Sequence, residues 1–451
     1  MEPPTVTKSR TRSRFDALLP IALGAVIFVS LGLPVALSYS ACQVDFKEVY
    51  YGARCALQGH DPYRPGAPLD LYLADGGKFP LDPGVANGLR RVIAEPTYPP
   101  SALLTVAPLA ALPWKTADAL WMGITVAFLL IASLSVWQAA SETAPWLSGC
   151  LIGLLVANSE VLVWGGNPAG PVVGLTVIAV CCFLQQRFIP AGILCLAVAL
   201  AFKPQDAGLI WLYFLLAGAA QRKRALQSLA ITAVIASAAI LWMSHVAPHW
   251  WPELHANVVR DFSAQGNSNP GPETPGSRGF GMVITLQAVF AHIHDDPRFY
   301  NFCTYAVCAV PLILWFVKTI RTTFSARSAW LALASISALS MLPVYHRSHD
   351  ARLLLLAAPA CAMLWKEGGA LRWVAPILTA SGILATGDLF WAEVWAHTHF
   401  SPGSLNAAVF IAPLILFATG IFYLCLYLRC DAREHKPAAL NPRPYSAVVQ
   451  Q

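Results

Sequence analysis

Apolar runs of membrane-crossing length follow one another along this chain, with short polar gaps. A helix needs roughly 17–25 residues to cross a bilayer. Runs of that order fall at 17–40, 117–138, 146–163, 169–185, 225–244, 299–320, 328–344, 350–366, 372–388 and 405–428. A further apolar stretch at 190–220 is broken by Phe202-Lys203-Pro204-Gln205-Asp206 and reads as two short helices meeting at a polar turn. The pattern predicts an all-α integral membrane protein, a bundle of about twelve transmembrane helices. Residues 1–430 form its single membrane domain, and 431–451 a polar, disordered cytoplasmic tail.

Tyr98 to Pro113 is apolar but too short to cross. Counting it as a span inverts every later loop, so it reads as re-entrant or interfacial. Two long loops, about 41–98 and 245–298, interrupt the apolar pattern. In the first, Phe46, Val49, Tyr50 and Ala53 recur at helical spacing, which predicts a short amphipathic helix lying at the interface. In the second, Gly266-Asn267-Ser268-Asn269-Pro270-Gly271-Pro272 reads as irregular chain.

Composition supports this picture. Charged residues make up only 12% of the chain and hydrophobic ones 56%, whereas a soluble domain is about a quarter charged. The net charge of +6 sits in short clusters, the signature of membrane orientation and not of a nucleic-acid partner. Those clusters are Lys8 to Arg14, Arg187, Arg222-Lys223-Arg224, Lys318 to Arg327, Lys366 with Arg372, and Arg429 to Lys436. Twelve spans place all of them, and both termini, in the cytoplasm. The two long loops and the shorter segment 345–349 then face outward, across an inner (cytoplasmic) membrane. The run after Arg14 is too long for a cleaved signal and reads as a retained first helix. The chain has eleven cysteines and no CxxC. Most lie in apolar runs as small hydrophobes, while Cys42 and Cys55 lie close enough in one outside loop to pair.

Soluble-enzyme motifs are absent: there is no GxxxxGK[ST], HExxH or GxSxG. The Gly276-Ser277-Arg278-Gly279-Phe280-Gly281 cluster follows no strand and reads as a loop. Three polar anomalies fall on the predicted outer face. Asp45 opens the interfacial helix, either as a helix-terminal carboxylate or as a general base above the bilayer. Lys203 interrupts an apolar run, either as a snorkelling lysine or as a phosphate ligand. Tyr345-His346-Arg347-Ser348-His349-Asp350 is a dense polar knot between two spans, either a solvated loop or part of a site. Three anomalies on one face favour a site. The loose groups His245/His249/His255 and His292/His294/Asp295/Asp296 lack familiar metal-ligand spacing, and no metal or other cofactor is expected.

These residues, in order, resemble glycosyltransferase family 87. The resemblance rests on Asp45-Phe46 with Tyr50-Tyr51 and Ala53-Arg54, then Gly59-His60-Asp61-Pro62-Tyr63 and Tyr98-Pro99-Pro100. It continues through Ala107-Pro108-Leu109, Leu112-Pro113, Asn158-Ser159-Glu160, Gly166-Asn167 and Ala201-Phe202-Lys203-Pro204, and ends at Tyr345-His346-Arg347 with Asp350. It implies a GT-C-like bundle whose outside loops carry short interfacial helices. It also implies inverting transfer of one sugar from a polyprenyl-phosphate carrier to a glycan or glycolipid acceptor, on the outer face of the membrane. Mycobacterial members use polyprenyl-phosphate-mannose. Asp45 matches the family's catalytic aspartate, Lys203 its lysine after a short helix, and His346 its late histidine. Arg347, Tyr50, Arg54, Tyr98, Asn167 and Asp350 are then expected to bind substrate. One departure is Gly165-Gly166-Asn167-Pro168, where the family commonly has Gly-Gln-x-Asn. Two other readings compete. A transporter would place its ionisable groups near the bilayer midplane and show internal repeats. A polymerase or ligase using lipid-linked sugars would make products of many lengths.

Overall fold

A computed structural model describes residues 15–38, 42–263, 266–272, 274, 282–398 and 405–430. The N-terminal basic cluster, the Gly276–Gly281 segment and the 431–451 tail lie outside the described residues. The first helix, α1 (Leu19–Ser38), leads into four short helices: α2 (Val44–Leu57), α3 (Ala67–Ala74), α4 (Pro83–Ala94) and α5 (Pro100–Ala110). Then come α6 (Trp114–Ala140), α7 (Pro145–Ala157), α8 (Val161–Gly165), α9 (Ala169–Leu184), α10 (Ile189–Phe202), α11 (Pro204–Leu216), α12 (Ala219–Val246) and α13 (Trp250–Asp261). The remaining helices are α14 (Leu286–Ala291), α15 (Pro297–Arg321), α16 (Ala326–Leu339), a 3₁₀ helix (Ser348–Ala357), α17 (Ala358–Glu367), α18 (Leu371–Ala385), α19 (Asp388–Thr398) and α20 (Leu405–Arg429). Proline opens α4, α5, α7, α11 and α15, where its missing N–H is one a helix start cannot use anyway.

The fold is all-helical and membrane-embedded, but the expectation of about twelve spans is not met. Among the described residues, six helical segments are long and apolar enough to cross: Leu19–Leu37, Trp114–Ala140, Pro145–Gly165, Ala219–Val246, Pro297–Arg321 and Ala408–Arg429. Their outer faces are greasy: Val234, Leu241 and Phe302 are 70%, 72% and 73% exposed, as side chains meeting lipid can be. The other expected spans form shorter helices. At about 1.5 Å per residue a helix of 14–16 residues reaches about 21–24 Å, less than the roughly 30 Å hydrocarbon layer. Apolar residues in the sequence continue through the turns, so a run of them overstates helix length. The expected span at 350–366 divides into the ten-residue 3₁₀ helix and the ten-residue α17. Helix α5, within the Tyr98–Pro113 segment, has 11 residues and is too short to cross alone.

Helix α1 packs directly on α7. A Cβ on Gly153 would stand 2.3 Å from the Pro20 carbonyl oxygen, and one on Gly149 only 2.1 Å from that of Ala17. Two glycines four residues apart therefore let the backbones touch, as small residues do between helices in lipid. Helix α9 is the centre of the bundle, packed by α6, α10 and the 3₁₀ helix. The short helix expected around Phe46, Val49, Tyr50 and Ala53 forms as α2, with these four residues fully buried. It packs against α5, α3 and α4. Cys42 and Cys55 are separate thiols: Cys42 Sγ is 3.2 Å from the Val35 carbonyl oxygen, and Cys55 Sγ 3.6 Å from that of Asp61.

Candidate active site

Asp45 sits in the first turn of α2. The chain enters that turn through Gln43, held in the left-handed conformation (φ 59°) with its N–H on the Trp164 carbonyl at 2.7 Å. Opposite, Gly166 also has positive φ (68°), and a Cβ there would lie 2.2 Å from Gln43 Oε1. Trp121 Nε1 donates to the Gly166 carbonyl at 2.9 Å. Only glycine fits both the backbone angle and the space. That turn aims Asn167 at α2, and Asn167 Nδ2 donates to Asp45 Oδ2 at 2.7 Å. Asn167 Oδ1 accepts the Ala169 N–H at 2.8 Å, which fixes the amide's orientation.

Lys203 stands at the break between α10 and α11, buried to 6% exposure. Its ammonium is 3.2 Å from Asp206 Oδ2 and forms a close ion pair with Asp350 Oδ1. His346, fully buried, stands 3.2 Å from Asp206 Oδ1 through Nε2. Its Nδ1 lies 3.0 Å from the Val344 carbonyl. A carbonyl only accepts, so Nδ1 carries a proton; a carboxylate also only accepts, so Nε2 is best matched when protonated too. Burial disfavours the imidazolium, but Asp206 and Asp350 outweigh it and push the His346 pKa above its ordinary value. Asp350 Oδ2 accepts the Arg347 N–H at 2.9 Å. The loop is strapped from behind: Ile284 N–H donates to the His346 carbonyl at 3.1 Å, and Ser348 N–H to the Met282 carbonyl at 2.8 Å.

Two layers result. Lys203, Asp206, His346 and Asp350 form a buried floor. Asp45, Tyr98, Tyr345 and Arg347 are half-buried and form the rim. Arg347 bonds the Tyr345 hydroxyl through Nε and the Asn267 carbonyl through Nη2 at 2.7 Å. Asp45 lies within the field of this group. Burial raises its carboxyl pKa, Arg347, the Asn167 bond and Lys203 pull it back, and the net shift is upward. A carboxylate with a raised pKa is the better proton acceptor. Tyr98 lies in the same field: burial, followed by the charges of Asp45, Glu48 and Asp350, pushes its phenol well up.

Of the nine residues singled out in the sequence, seven meet here. Tyr50 and Arg54 point elsewhere. Tyr50 OH donates to the Leu112 carbonyl at 2.7 Å and accepts from Arg54 Nη1 at 2.6 Å, while its ring packs edge-on to Tyr51 and Trp114. Arg54 also pairs with Asp75 at 3.5 Å. Both tie α2 to the end of the α5 segment. Asp206 is the residue sequence reasoning passed over; its only sequence signal is its place three residues after Lys203 at the start of a helix.

One ligand atom each from Asp206, His346 and Asp350 lies within 4.8 Å of the others, a spacing that a divalent ion can bridge. The Lys203 ammonium already contacts both carboxylates, so an ion there has to displace it. Neither loose histidine group gathers ligand atoms in this way among the described residues.

The model of glycosyltransferase family 87 matches residues 97–345, more than half of the chain. The chain belongs to glycosyltransferase family 87. Family 87 membership makes it a membrane glycosyltransferase that takes a sugar donor and an acceptor. The matched stretch contains Tyr98, Asn167 and Lys203 and stops one residue before His346, while Asp45 precedes it. No curated protein and no solved structure matches the chain.

Proposed function

We propose that this family 87 enzyme moves a single sugar, with mannose the first to test, from a polyprenyl-phosphate carrier to a glycan or glycolipid acceptor. The reaction takes place on the outer face of the cytoplasmic membrane and inverts the anomeric carbon. The observation that carries the reading is Asp45, half-buried, bonded to Asn167, and set in the field of Arg347 and Lys203. In the step proposed, Asp45 takes the proton of the acceptor hydroxyl as its oxygen bonds to the anomeric carbon. The bond from that carbon to the phosphate oxygen breaks, and its electron pair stays on the phosphate. Asp45 loses a negative charge as the phosphate gains one, so the net charge of the site does not change. A low-dielectric site favours such a balance, because no new net charge has to be solvated.

Arg347, at the rim, holds the departing phosphate, and planar guanidinium suits that geometry. Lys203 and His346 act from the floor, adding positive potential behind the phosphate while staying paired with Asp206 and Asp350. The ordered ammonium at this position supports transfer without a metal. Asp45→Asn is expected to lower transfer by at least about a hundredfold while extraction in detergent and thermal stability stay as in the wild type. The assay is sugar loss from a panel of polyprenyl-phosphate sugars, read by mass spectrometry. Turnover equal to the wild type removes Asp45 from the chemistry.

A further inference from the structure

A pocket of about 600 Å³ opens on the loop helices, away from the Asp45 rim. Helix α4 and its end supply Asn87, Arg90, Arg91 and Glu95, and the end of α13 supplies Arg260 and Ser263. Three guanidinium groups therefore face one carboxylate. Glu95 is used up by Arg260 at 3.0 Å and Arg91 at 3.9 Å, and Arg91 Nη2 also donates to the Arg260 carbonyl at 2.8 Å. Those contacts bridge α4 and α13. Arg90 is the exposed member: its guanidinium stacks 4.4 Å over the Phe79 ring, and no carboxylate pairs with it among the described residues. The ring contact restrains an otherwise exposed guanidinium at the mouth of the pocket.

Both walls of the pocket continue into the rim of the active site. Glu95 is three residues from Tyr98, and Thr97 between them is held by Glu48 of α2 through its N–H at 2.7 Å and its hydroxyl at 2.9 Å. Two residues beyond Arg260, the Phe262 ring packs edge-on to Tyr345 at 5.6 Å. The pocket and the rim therefore share two stretches of chain, Glu95–Tyr98 and Arg260–Phe262.

We propose that this pocket is the acceptor's anchoring site and takes a sugar bearing a phosphate or carboxylate group, with Arg90 meeting the anion and Asn87 and Ser263 meeting hydroxyls. The proposal rests on the transferase reading for its role, and binding alone tests the pocket. The full-length protein in phosphatidylcholine nanodiscs is titrated with mannose 6-phosphate, mannose and inorganic phosphate. Mannose 6-phosphate is expected to bind at least about tenfold more tightly than either partial probe, with an affinity that falls as salt rises. Arg90→Glu should weaken it at least about tenfold and Arg90→Gln less; Arg90 is exposed, so neither change threatens folding. Asp45→Asn should bind it as the wild type does, and that holds even if Asp45 has no role in transfer. Equal affinity for mannose and mannose 6-phosphate, an unchanged affinity in Arg90→Glu, or inorganic phosphate binding as tightly as the sugar phosphate overturns the proposal. Adding phosphatidylglycerol to the discs separates the two sources of the anion. Competition that Arg90→Glu abolishes supports a lipid-borne acceptor, and absence of competition supports a soluble one.

Discussion

Asn167 donates to Asp45 across 2.7 Å, although 122 residues separate them. This bond ties the start of α2 to the turn before α9, and it sets which carboxylate oxygen remains for an acceptor hydroxyl. Asn167→Ala should lower transfer about tenfold to a hundredfold, the worth of a hydrogen bond to a charged group. Gly166→Ala should act through the same bond, because its Cβ collides with Gln43 and the left-handed backbone strains by roughly 1–2 kcal/mol. Transfer rates and melting temperatures of the two variants check this. Asn167→Ala should lower the rate and, because the buried Ala169 N–H loses its acceptor, also cost about 1–3 kcal/mol of stability, and Gly166→Ala should lower both; a wild-type rate in Asn167→Ala frees Asp45 from this partner.

Replacing Lys203 leaves two buried carboxylates without their cation. Lys203→Met should cost about 3–5 kcal/mol, the usual result of breaking a buried pair from one side. Adding Asp350→Asn to Lys203→Met should recover part of that stability and none of the transfer. Fluorescence-detected thermal unfolding in detergent measures the first, and donor turnover the second. Recovery of turnover in the double variant would mean that Lys203 is structural only.

The His346 pKa is raised above its ordinary 6.5 by Asp206 and Asp350 acting against burial. A raised pKa means the folded protein holds the proton more tightly than the unfolded chain. The stabilisation from the imidazolium is therefore fully present below pH 6.5 and disappears as pH climbs through the raised value. Unfolding temperature should fall across that window in the wild type, and this component should be missing in His346→Gln. Identical pH profiles for the two proteins would show that His346 does not carry the charge.

Lys203 contacts both carboxylates of the one potential metal cluster among the described residues. Transfer should therefore continue in excess chelator at an unchanged rate. Clear loss of turnover, restored by Mg²⁺ or Mn²⁺, would assign Asp206, His346 and Asp350 to an ion.

The helices were largely legible because lipid demands long apolar runs, and every such run became helical. Their number as spans was not, since the sequence does not show where a turn cuts an apolar run, as between Phe202 and Pro204 or at Ala357. Asp45, Lys203 and the His346 knot stood out as polar residues in apolar surroundings. Tyr50 and Arg54 share α2 with Asp45 but lie on its packed side, where ring geometry and the Leu112 carbonyl decide their partners. Asp206 escaped notice because an acidic residue in the first turn of a helix is ordinary. Its importance comes from His346, 140 residues later, and nothing local announces that contact.

The ten-residue 3₁₀ helix that carries Asp350 is longer than such helices ordinarily persist. At about 2.0 Å per residue it extends roughly 5 Å further than the same ten residues would as an α-helix. Arg352, in its middle, clamps it by bonding the carbonyls of Asn158, Ser348 and Thr386 and the Ser159 hydroxyl. The clamp fixes the segment against Asn158 and Thr386, so the place of Asp350 beside Lys203 is set by a guanidinium bonded to neither of them.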